Sequence, residues 1–226
     1  MTNPWRERRD FPAGPTEANP SRDEQIDVIV ALASAHRPLR ILDAGCGPGH
    51  VAERLLAACP DATLVGFDFG PEMVDAARAR LGTRATIVRA SFEEDWEGAV
   101  GDGPFDLVVC VQALHHADDE CKRESYARFF RVLEPGGLYL QSDPVAMGDR
   151  RLFPHLKALW NLLRGASGFP PLPKDHAPED AAREFTDRGD HLANLDDQLR
   201  WLREAGFVSL DCFWKHGNRA IFGGLR

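Results

Sequence analysis

The amino-acid sequence predicts a doubly wound α/β fold, and three patterns indicate it. From about residue 39 onward, short apolar runs alternate with helical stretches, as in parallel strands joined by crossover helices. The runs are continuously apolar, as expected for a sheet that helices cover on both faces. The last two runs lie too close together for a crossover helix, so they are expected to pair antiparallel. The predicted sheet is therefore seven-stranded and mostly parallel, with an antiparallel last strand.

The individual elements follow from local signals. A first helix is predicted over residues 21–36, because Ile26, Ile29 and Leu32 recur at helical spacing behind Ser21, a residue type that caps helices. Five apolar runs are predicted as strands at residues 39–45, 63–68, 85–90, 105–114 and 138–143. Helices are predicted between them at residues 50–59, 71–81 and 119–137, the last halted at EPGG. A helix at residues 194–206 precedes the final strands at residues 207–214 and 218–224.

Composition and charge exclude several classes of protein. The formal net charge of −8 argues against a nucleic-acid-binding surface over the whole molecule. No apolar run approaches the ~20 residues that a membrane-spanning helix needs, and the N-terminal segment lacks the apolar centre of a secretory signal. The five cysteines are widely spaced with no C-x-x-C pair, which favours neither a disulfide framework nor a zinc site. We therefore expect a cytoplasmic protein with no membrane partner.

One domain is expected over residues 1–226, with two additions to the strand–helix pattern. Residues 1–20 are rich in proline and charge and are expected to form an N-terminal arm. Residues 144–191 interrupt the pattern after the fifth strand and are expected to form a helical insertion. Its position favours a lid, because ligands of open α/β sheets bind at the carboxyl edge of the strands. A dimer contact and simple surface elaboration are the alternatives.

The stretch LDAGCGPGH, from Leu42 to His50, places three glycines on alternate positions after an apolar run. It does not give the G-x-G-x-x-G of a dinucleotide site, since His50 stands at the last position. With Asp68 after the second strand, FDLVV before LHH, and EPGG before the fifth strand, it resembles the class I S-adenosylmethionine-dependent methyltransferases from about residue 23 to residue 226. The resemblance implies S-adenosylmethionine as the cofactor.

The resemblance also implies which residues bind this cofactor. In the family the glycine loop packs on the methionine part, which requires close approach of the backbone. The carboxylate of Asp68 would accept hydrogen bonds from the ribose hydroxyls, and Phe69 and Met73 would contact the adenine. Ser91 stands where the family has an acidic residue, so a backbone amide, the Ser91 hydroxyl or Glu93 would take its place. The predicted cofactor-binding residues are Asp43, Gly45, Cys46, Gly47, Asp68, Phe69, Met73, Ser91, Phe92 and Val111, with a simple packing role as the alternative for Cys46.

Residues for catalysis and acceptor binding carry weaker signals. His115 and His116 follow the fourth strand, where they could act as a general base or orient the acceptor; packing against the cofactor and exposure to solvent are the alternatives. Asp143 could contact substrate or cap a loop. Trp160 belongs either to the core of the lid or to the wall of an acceptor site. The histidines of the insertion match no ligand spacing, and no metal is predicted.

These features predict methyl transfer to a small organic acceptor, since methyl transfer depends mainly on alignment and desolvation. The acceptor, the methylated atom and the oligomeric state are not specified by the sequence. A carboxy-S-adenosylmethionine synthase is an alternative, because the tail and the position of the insertion are similar to that group, and Arg183 would be its carboxylate-binding residue. A catalytically silent cofactor-binding protein is the alternative from a different class.

Overall fold

The computed structural model of the protein describes residues 13–16, 18–101 and 103–226. In this part of the chain the strands form one seven-stranded sheet. They are β1 (Arg40–Ala44), β2 (Thr63–Asp68), β3 (Ala85–Arg89), β4 (Phe105–Val111), β5 (Leu133–Pro144), β6 (Val208–His216) and β7 (Arg219–Leu225). Their order across the sheet is β3-β2-β1-β4-β5-β7-β6. The predicted arm over residues 1–20 lies largely outside the described residues.

The strand directions confirm the predicted sheet. β1 pairs parallel with β2 and with β4, β2 pairs parallel with β3, and β4 pairs parallel with β5. β7 lies between β5 and β6 and runs antiparallel to both. The order reverses direction beside β1, because β2 and β4 leave it on opposite sides, and an open α/β sheet binds ligands at such a switch point.

Helices cover the two faces of this sheet. They are α1 (Arg22–His36), α2 (His50–Ala58), α3 (Pro71–Leu81), α4 (Trp96–Val100), α5 (Asp119–Val132), α6 (Phe153–Ala166), α7 (Pro178–Thr186) and α8 (Leu195–Ala205). Ile29 of α1 and Leu55 of α2 belong to one buried cluster, whereas Trp96 of α4 and Phe129 of α5 belong to the other. Neighbouring residues of a strand point into opposite clusters, so the sheet is buried on both faces. No helix in the described residues is long and apolar enough to cross a membrane.

Three local features differ from the sequence-based expectations. The EPGG segment, predicted to end a helix, lies within β5. Leu133 pairs with Phe105 and Leu138 pairs with Leu107, so the residues between Leu133 and Leu138 form a bulge. Ser21 occupies the N-cap of α1, but its side chain makes no capping hydrogen bond. The helix α4 was not predicted; at five residues it is too short for an apolar period to be read from the sequence.

The insertion at residues 144–191 contains α6 and α7 and no further strand–helix unit, as expected. Its two ends are held together at the base, because the Ala146 amide donates to the Ala193 carbonyl at 2.9 Å. The indole of Trp160 in α6 lies over Gly217 in the turn between β6 and β7, where an added Cβ would come within 2.2 Å of Nε1. The insertion therefore packs against the end of the sheet that β6 and β7 form.

Candidate active site

The glycine loop between β1 and α2 contains residues with positive φ, which form its turn. Gly45 has φ 74° and Gly47 has φ 53°, values that side chains with a Cβ adopt at a cost. The amides of Gly45 and Cys46 both donate to the Phe67 carbonyl at 2.9 Å, which ties the loop to the end of β2. A Cβ on Gly45 would lie 2.4 Å from the Cβ of Ala113, whereas a Cβ on Gly47 would meet no described atom within 4 Å. Gly45 is required by packing, and Gly47 faces open space.

Asp68 ends β2 beside this loop and is bound by backbone amides. The Gly47 amide donates to Oδ2 at 2.9 Å, and the Gly70 amide donates to Oδ1 at 2.9 Å. Burial raises the pKa of Asp68, while these amides oppose the rise. Each carboxylate oxygen can accept more than one hydrogen bond, so both oxygens retain capacity for a ligand. The geometry fits a carboxylate that receives two hydroxyl groups.

Asp43, at the start of the glycine motif, lies behind the loop. Its side chain is buried, and its Oδ2 accepts no hydrogen bond from the described residues. Burial, and then the charge of Asp68, raise the pKa of Asp43 to about 7. Burial and the same two carboxylates raise the pKa of the Cys46 thiol well above its usual range, so the thiol is neutral. The two carboxyl groups are thus close enough for the charge of one to affect the pKa of the other.

A cavity of about 1100 Å³, counted out to its open mouth, lies above the loop at the carboxyl edge of the sheet. The predicted cofactor-binding residues that line it are Gly45, Cys46, Gly47, Asp68, Phe69, Met73, Ser91, Phe92 and Val111. Asp43 is the predicted residue that does not line it. Glu93, which could substitute for the acidic residue that the family has at the position of Ser91, also lines the cavity.

His115 and His116 follow β4 in a short 3-10 turn and are paired with separate carboxylates. His115 Nδ1 lies 2.6 Å from Oδ1 of Asp143, and His116 Nδ1 lies 2.8 Å from Oδ1 of Asp190. His116 lines the cavity, whereas His115 is buried behind it. Burial, and then the neighbouring His115 ring, lower the pKa of His116 to about 4, although Asp190 opposes this shift. His116 is therefore neutral near pH 7, and Asp190 orients its ring through Nδ1.

The same cluster contains the atoms needed to hold a cation. Ligand atoms of His115, His116 and Asp190 lie within 4.8 Å of one another. The Nδ1 atoms of both histidines, however, already lie at hydrogen-bond distance from carboxylates. The arrangement is accounted for as two histidine–carboxylate pairs, in which each carboxylate fixes the orientation of one ring.

Lys122 of α5 holds the end of the insertion beside these histidines. Its side chain is 1% exposed, and its Nζ donates to the carbonyl oxygens of Ala117 and His191. Burial lowers the pKa of Lys122, and the nearby Asp119 opposes the shift. The His191 amide also donates to the His115 carbonyl at 2.7 Å. The backbone hydrogen bonds of His191 thus position the preceding residue, Asp190.

The residues predicted for acceptor binding lie apart from the cofactor cavity. Asp143 is 1% exposed and also accepts a hydrogen bond from Nε2 of Gln141 at 2.8 Å, so it acts on His115 rather than facing the cavity. Trp160 lines a second cavity. The structure brings His116 and the cofactor-binding residues together, and it leaves Asp143 and Trp160 outside that group.

Sequence reasoning missed Asp190 and Gln112. Asp190 reaches His116 across 74 positions of chain, and no spacing pattern in the sequence signals this pair. Gln112 follows β4 with φ 56°, a conformation that is uncommon for residues with a Cβ and that concentrates at functional sites. Only its place between a predicted strand and the LHH loop could have indicated it.

Comparison with known proteins agrees with this geometry. The family described as "Methyltransferase domain" matches residues 41–137. A demethylmenaquinone methyltransferase of Deinococcus radiodurans is 34% identical over 52% of this chain and 49% of its own length. A trans-aconitate 2-methyltransferase of Methylobacterium nodulans is 32% identical over 79% of this chain and 61% of its own length. A carboxy-S-adenosyl-L-methionine synthase of Chromohalobacter salexigens is 28% identical over 82% of this chain and 69% of its own length.

The sheet order, the glycine loop and the cavity above it define a Rossmann-like methyltransferase fold. The family match identifies residues 41–137 as a methyltransferase domain, and the chain as a whole is similar to S-adenosylmethionine-dependent methyltransferases. The chain spans about half the length of several of the curated relatives that it matches.

Proposed function

We propose that this protein binds S-adenosylmethionine and transfers its methyl group to a small organic acceptor. One observation carries the proposal: the residues predicted from the sequence to bind the cofactor, apart from Asp43, line a single cavity at the switch point of the sheet. The relatives act, by their names, on quinone precursors and on an organic acid. When bound, the cofactor supplies a methyl group on a positively charged sulfur, which is already activated for transfer.

The residues of the cavity fit this cofactor. Gly47 leaves space that a Cβ would occupy, so the loop can approach the ligand through its backbone. Asp68 retains acceptor capacity on both oxygens, which suits the two ribose hydroxyls. Met73 and Phe69 supply apolar surface for the adenine, and the segment Ser91–Glu93 supplies polar groups for its edge.

His116 is proposed as the residue that faces the acceptor. It lines the cavity, and its ring is held in one orientation by the contact between Nδ1 and Asp190, as a residue that orients an acceptor O–H or N–H requires. A base with a pKa of about 4 is weak before the reaction. The acceptor atom becomes far more acidic as its lone pair bonds to the methyl carbon and the carbon–sulfur bond breaks. His116 can then take the proton that the methylated atom loses.

His115 and Asp143 are proposed as positioning residues. Their 2.6 Å contact fixes the ring of His115, and the two histidine rings lie 3.9 Å apart between centroids. The insertion, residues 144–191, is proposed as a lid that supplies Asp190 and the wall near Trp160 within one domain over residues 1–226. The five free cysteines support a reducing, cytoplasmic location, and the acidic net charge supports a small-molecule acceptor rather than nucleic acid.

Calorimetric titration with S-adenosylhomocysteine and with NAD tests the cofactor assignment. We expect S-adenosylhomocysteine to bind at least about a hundredfold more tightly, because the loop lacks the last glycine of the dinucleotide motif. Tighter binding of NAD would contradict the proposal. Asp190→Asn should lower turnover about tenfold or more and leave S-adenosylhomocysteine affinity unchanged, since Asp190 orients His116 but does not line the cavity.

The synthase alternative is supported by the relative that covers most of this chain. Arg183, its expected carboxylate-binding residue, is 66% exposed and pairs with Asp180 on the surface of α7, and it lines neither cavity. Mass spectrometry separates the readings: a synthase changes the mass of the cofactor itself, a methyltransferase changes the acceptor, and a silent binding protein changes neither.

A further inference from the structure

A second cavity of about 660 Å³, counted out to its open mouth, lies between the insertion, the segment before α1 and the turn joining β6 to β7. Its wall combines apolar and nitrogen-bearing side chains, including Asn19, Trp160, Leu163, Phe185, His216 and Arg219. The cofactor cavity accounts for none of these residues.

Three residues that line this cavity each carry a buried nitrogen atom with no hydrogen-bond partner in the described part of the chain. The atoms are Nε1 of Trp160, Nδ1 of His216 and Nε of Arg219. The nearest carboxylate to His216 is that of Glu24, at 3.8 Å from Nδ1, which is beyond hydrogen-bond distance. Buried polar groups without partners are costly and are uncommon in proteins. Their convergence on one cavity indicates a ligand rich in hydrogen-bond acceptors.

Arg219 adds a positive charge to this wall. Its side chain is 8% exposed, and burial lowers its pKa to about 10, so it stays charged near pH 7. Nη1 donates to Oε1 of Gln112 at 2.7 Å, and Nη2 donates to the Ala18 carbonyl at 2.8 Å. Within the described residues no carboxylate lies within 4.0 Å of the guanidinium, although Asp143 and Asp190 lie near enough to favour its charge. Its contacts are neutral, and Nε is left for an anion.

Charge on the remaining wall agrees with an anionic ligand. Arg164 and Arg188 line the same cavity, and among the described lining residues the one carboxylate is that of Glu184, on an exposed position of α7. Leu163 and Phe185 supply apolar surface between these groups. An anion joined to an apolar body matches both parts of the wall.

Gln112 connects this cavity to the cofactor site. It lines the cofactor cavity, and its side chain contacts Arg219, which lines the second cavity. One hydrogen-bonded pair of side chains therefore connects the walls of the two cavities. The strained backbone of Gln112, with φ 56°, holds its side chain at this boundary.

We propose that the second cavity binds the methyl acceptor, and that this acceptor is a carboxylate with an aromatic or aliphatic body, held by Arg219 and Trp160. The reactive end would pass Gln112 to reach His116 and the cofactor cavity. This inference rests on the proposed methyltransferase function and adds the chemical class of its acceptor. The carboxylate serves as an anchor; which atom receives the methyl group is a separate question.

Matched acids and amides test the proposal. Binding of trans-cinnamate and cinnamamide, and of hexanoate and hexanamide, is measured by calorimetry on the full chain with S-adenosylhomocysteine present. We expect at least one acid to bind about tenfold or more tightly than its amide, because a charge-assisted contact with arginine is lost in the amide. Arg219→Gln should abolish this preference. The matched control Arg183→Gln, on the exposed face of α7, should retain it.

Trp160→Phe provides a second test that does not depend on Arg219. The indole N–H has no partner in the described part of the chain, so its removal should leave the fold intact and weaken acid binding about threefold or more. Equal affinity for acid and amide, a preference that survives in Arg219→Gln, or failure of both acids to bind below about 5 mM would overturn the inference. S-adenosylhomocysteine binding is measured separately, and if the wild-type protein does not bind it, the proposed function is refuted. In that case the acid–amide comparison is repeated on the protein alone, and it still tests whether the second cavity binds a carboxylate.

Discussion

The carboxyl group of Asp43 should make the protein less stable as the pH rises, and Asp43→Asn should remove this effect. Asp43 is 1% exposed, its Oδ2 has no hydrogen-bond partner among the described residues, and Asp68 lies close by. Burial and this neighbouring charge raise its pKa from 3.8 to about 7. The folded protein therefore holds a proton that the unfolded chain releases between about pH 4 and pH 7.

The magnitude follows from this difference in pKa. Because the folded pKa lies above the unfolded one, the free energy of unfolding is highest below pH 4, falls as the pH rises to about 7 and is constant above it. One pKa unit corresponds to about 1.36 kcal/mol, so the rise from 3.8 to about 7 amounts to about 4 kcal/mol. Asparagine cannot ionise, so Asp43→Asn should gain about this much relative to the wild-type protein between pH 4 and pH 8.

Urea denaturation at several pH values, without cofactor, measures the effect. The pKa of His116 is lowered by burial, so its contribution is lost as the pH falls below about 6.5, but it is present in both proteins and cancels in the difference. Asp61→Asn, at an exposed position before β2, is the control and should track the wild-type protein. Parallel curves for Asp43→Asn and the wild-type protein would show that the buried carboxylate ionises without cost and would refute the reasoning.

Three further substitutions test the loop, the ribose contact and the anchored insertion. Gly45→Val should reduce S-adenosylhomocysteine affinity by about tenfold or more in a folded protein, because its Cβ would lie 2.4 Å from that of Ala113; unchanged calorimetric affinity would contradict this. Asp68→Ala should weaken binding about tenfold to a hundredfold, through loss of charge-assisted contacts, and an unchanged Kd would exclude the ribose role. Lys122→Met removes the donor to the carbonyls of Ala117 and His191 and should lower Tm by about 4–10 °C, measured by circular dichroism; an unchanged Tm would show that water replaces the ammonium.

The cofactor half of the site could be predicted because its determinants are local. Gly45 and Gly47 follow a buried strand directly, and Asp68 ends the next one, so their meeting follows from the parallel order of β1 and β2. Backbone geometry restricts these positions to few residue types. A motif read along the chain therefore identifies neighbours in space.

The proposed acceptor half depends on contacts between distant parts of the chain. Asp190 meets His116 only because Lys122 and the His115 carbonyl hold the end of the insertion. Arg219 reads in the sequence as an ordinary residue of a hairpin strand. Its burial arises because α6 and the segment before α1 cover the end of β7. No periodicity encodes such an arrangement, since each partner lies on a different element.

This difference bears on how acceptor choice can change while the cofactor stays the same. Glycine-loop positions are fixed by backbone conformation, so substitution there affects cofactor binding directly. Trp160, Phe185 and Arg219 instead contact a cavity whose wall comes from several elements, and each can be replaced with little effect on the path of β1 or β2. Gln112 lines the cofactor cavity and accepts a hydrogen bond from Arg219, which lines the second cavity. Substitution of Gln112 should therefore alter acceptor turnover and cofactor affinity together, whereas substitution of Trp160 should alter acceptor turnover alone. The test measures kcat/KM for the acceptor and S-adenosylhomocysteine affinity in Gln112→Ala and in Trp160→Ala. The same pattern of change in both quantities for the two variants would contradict this division.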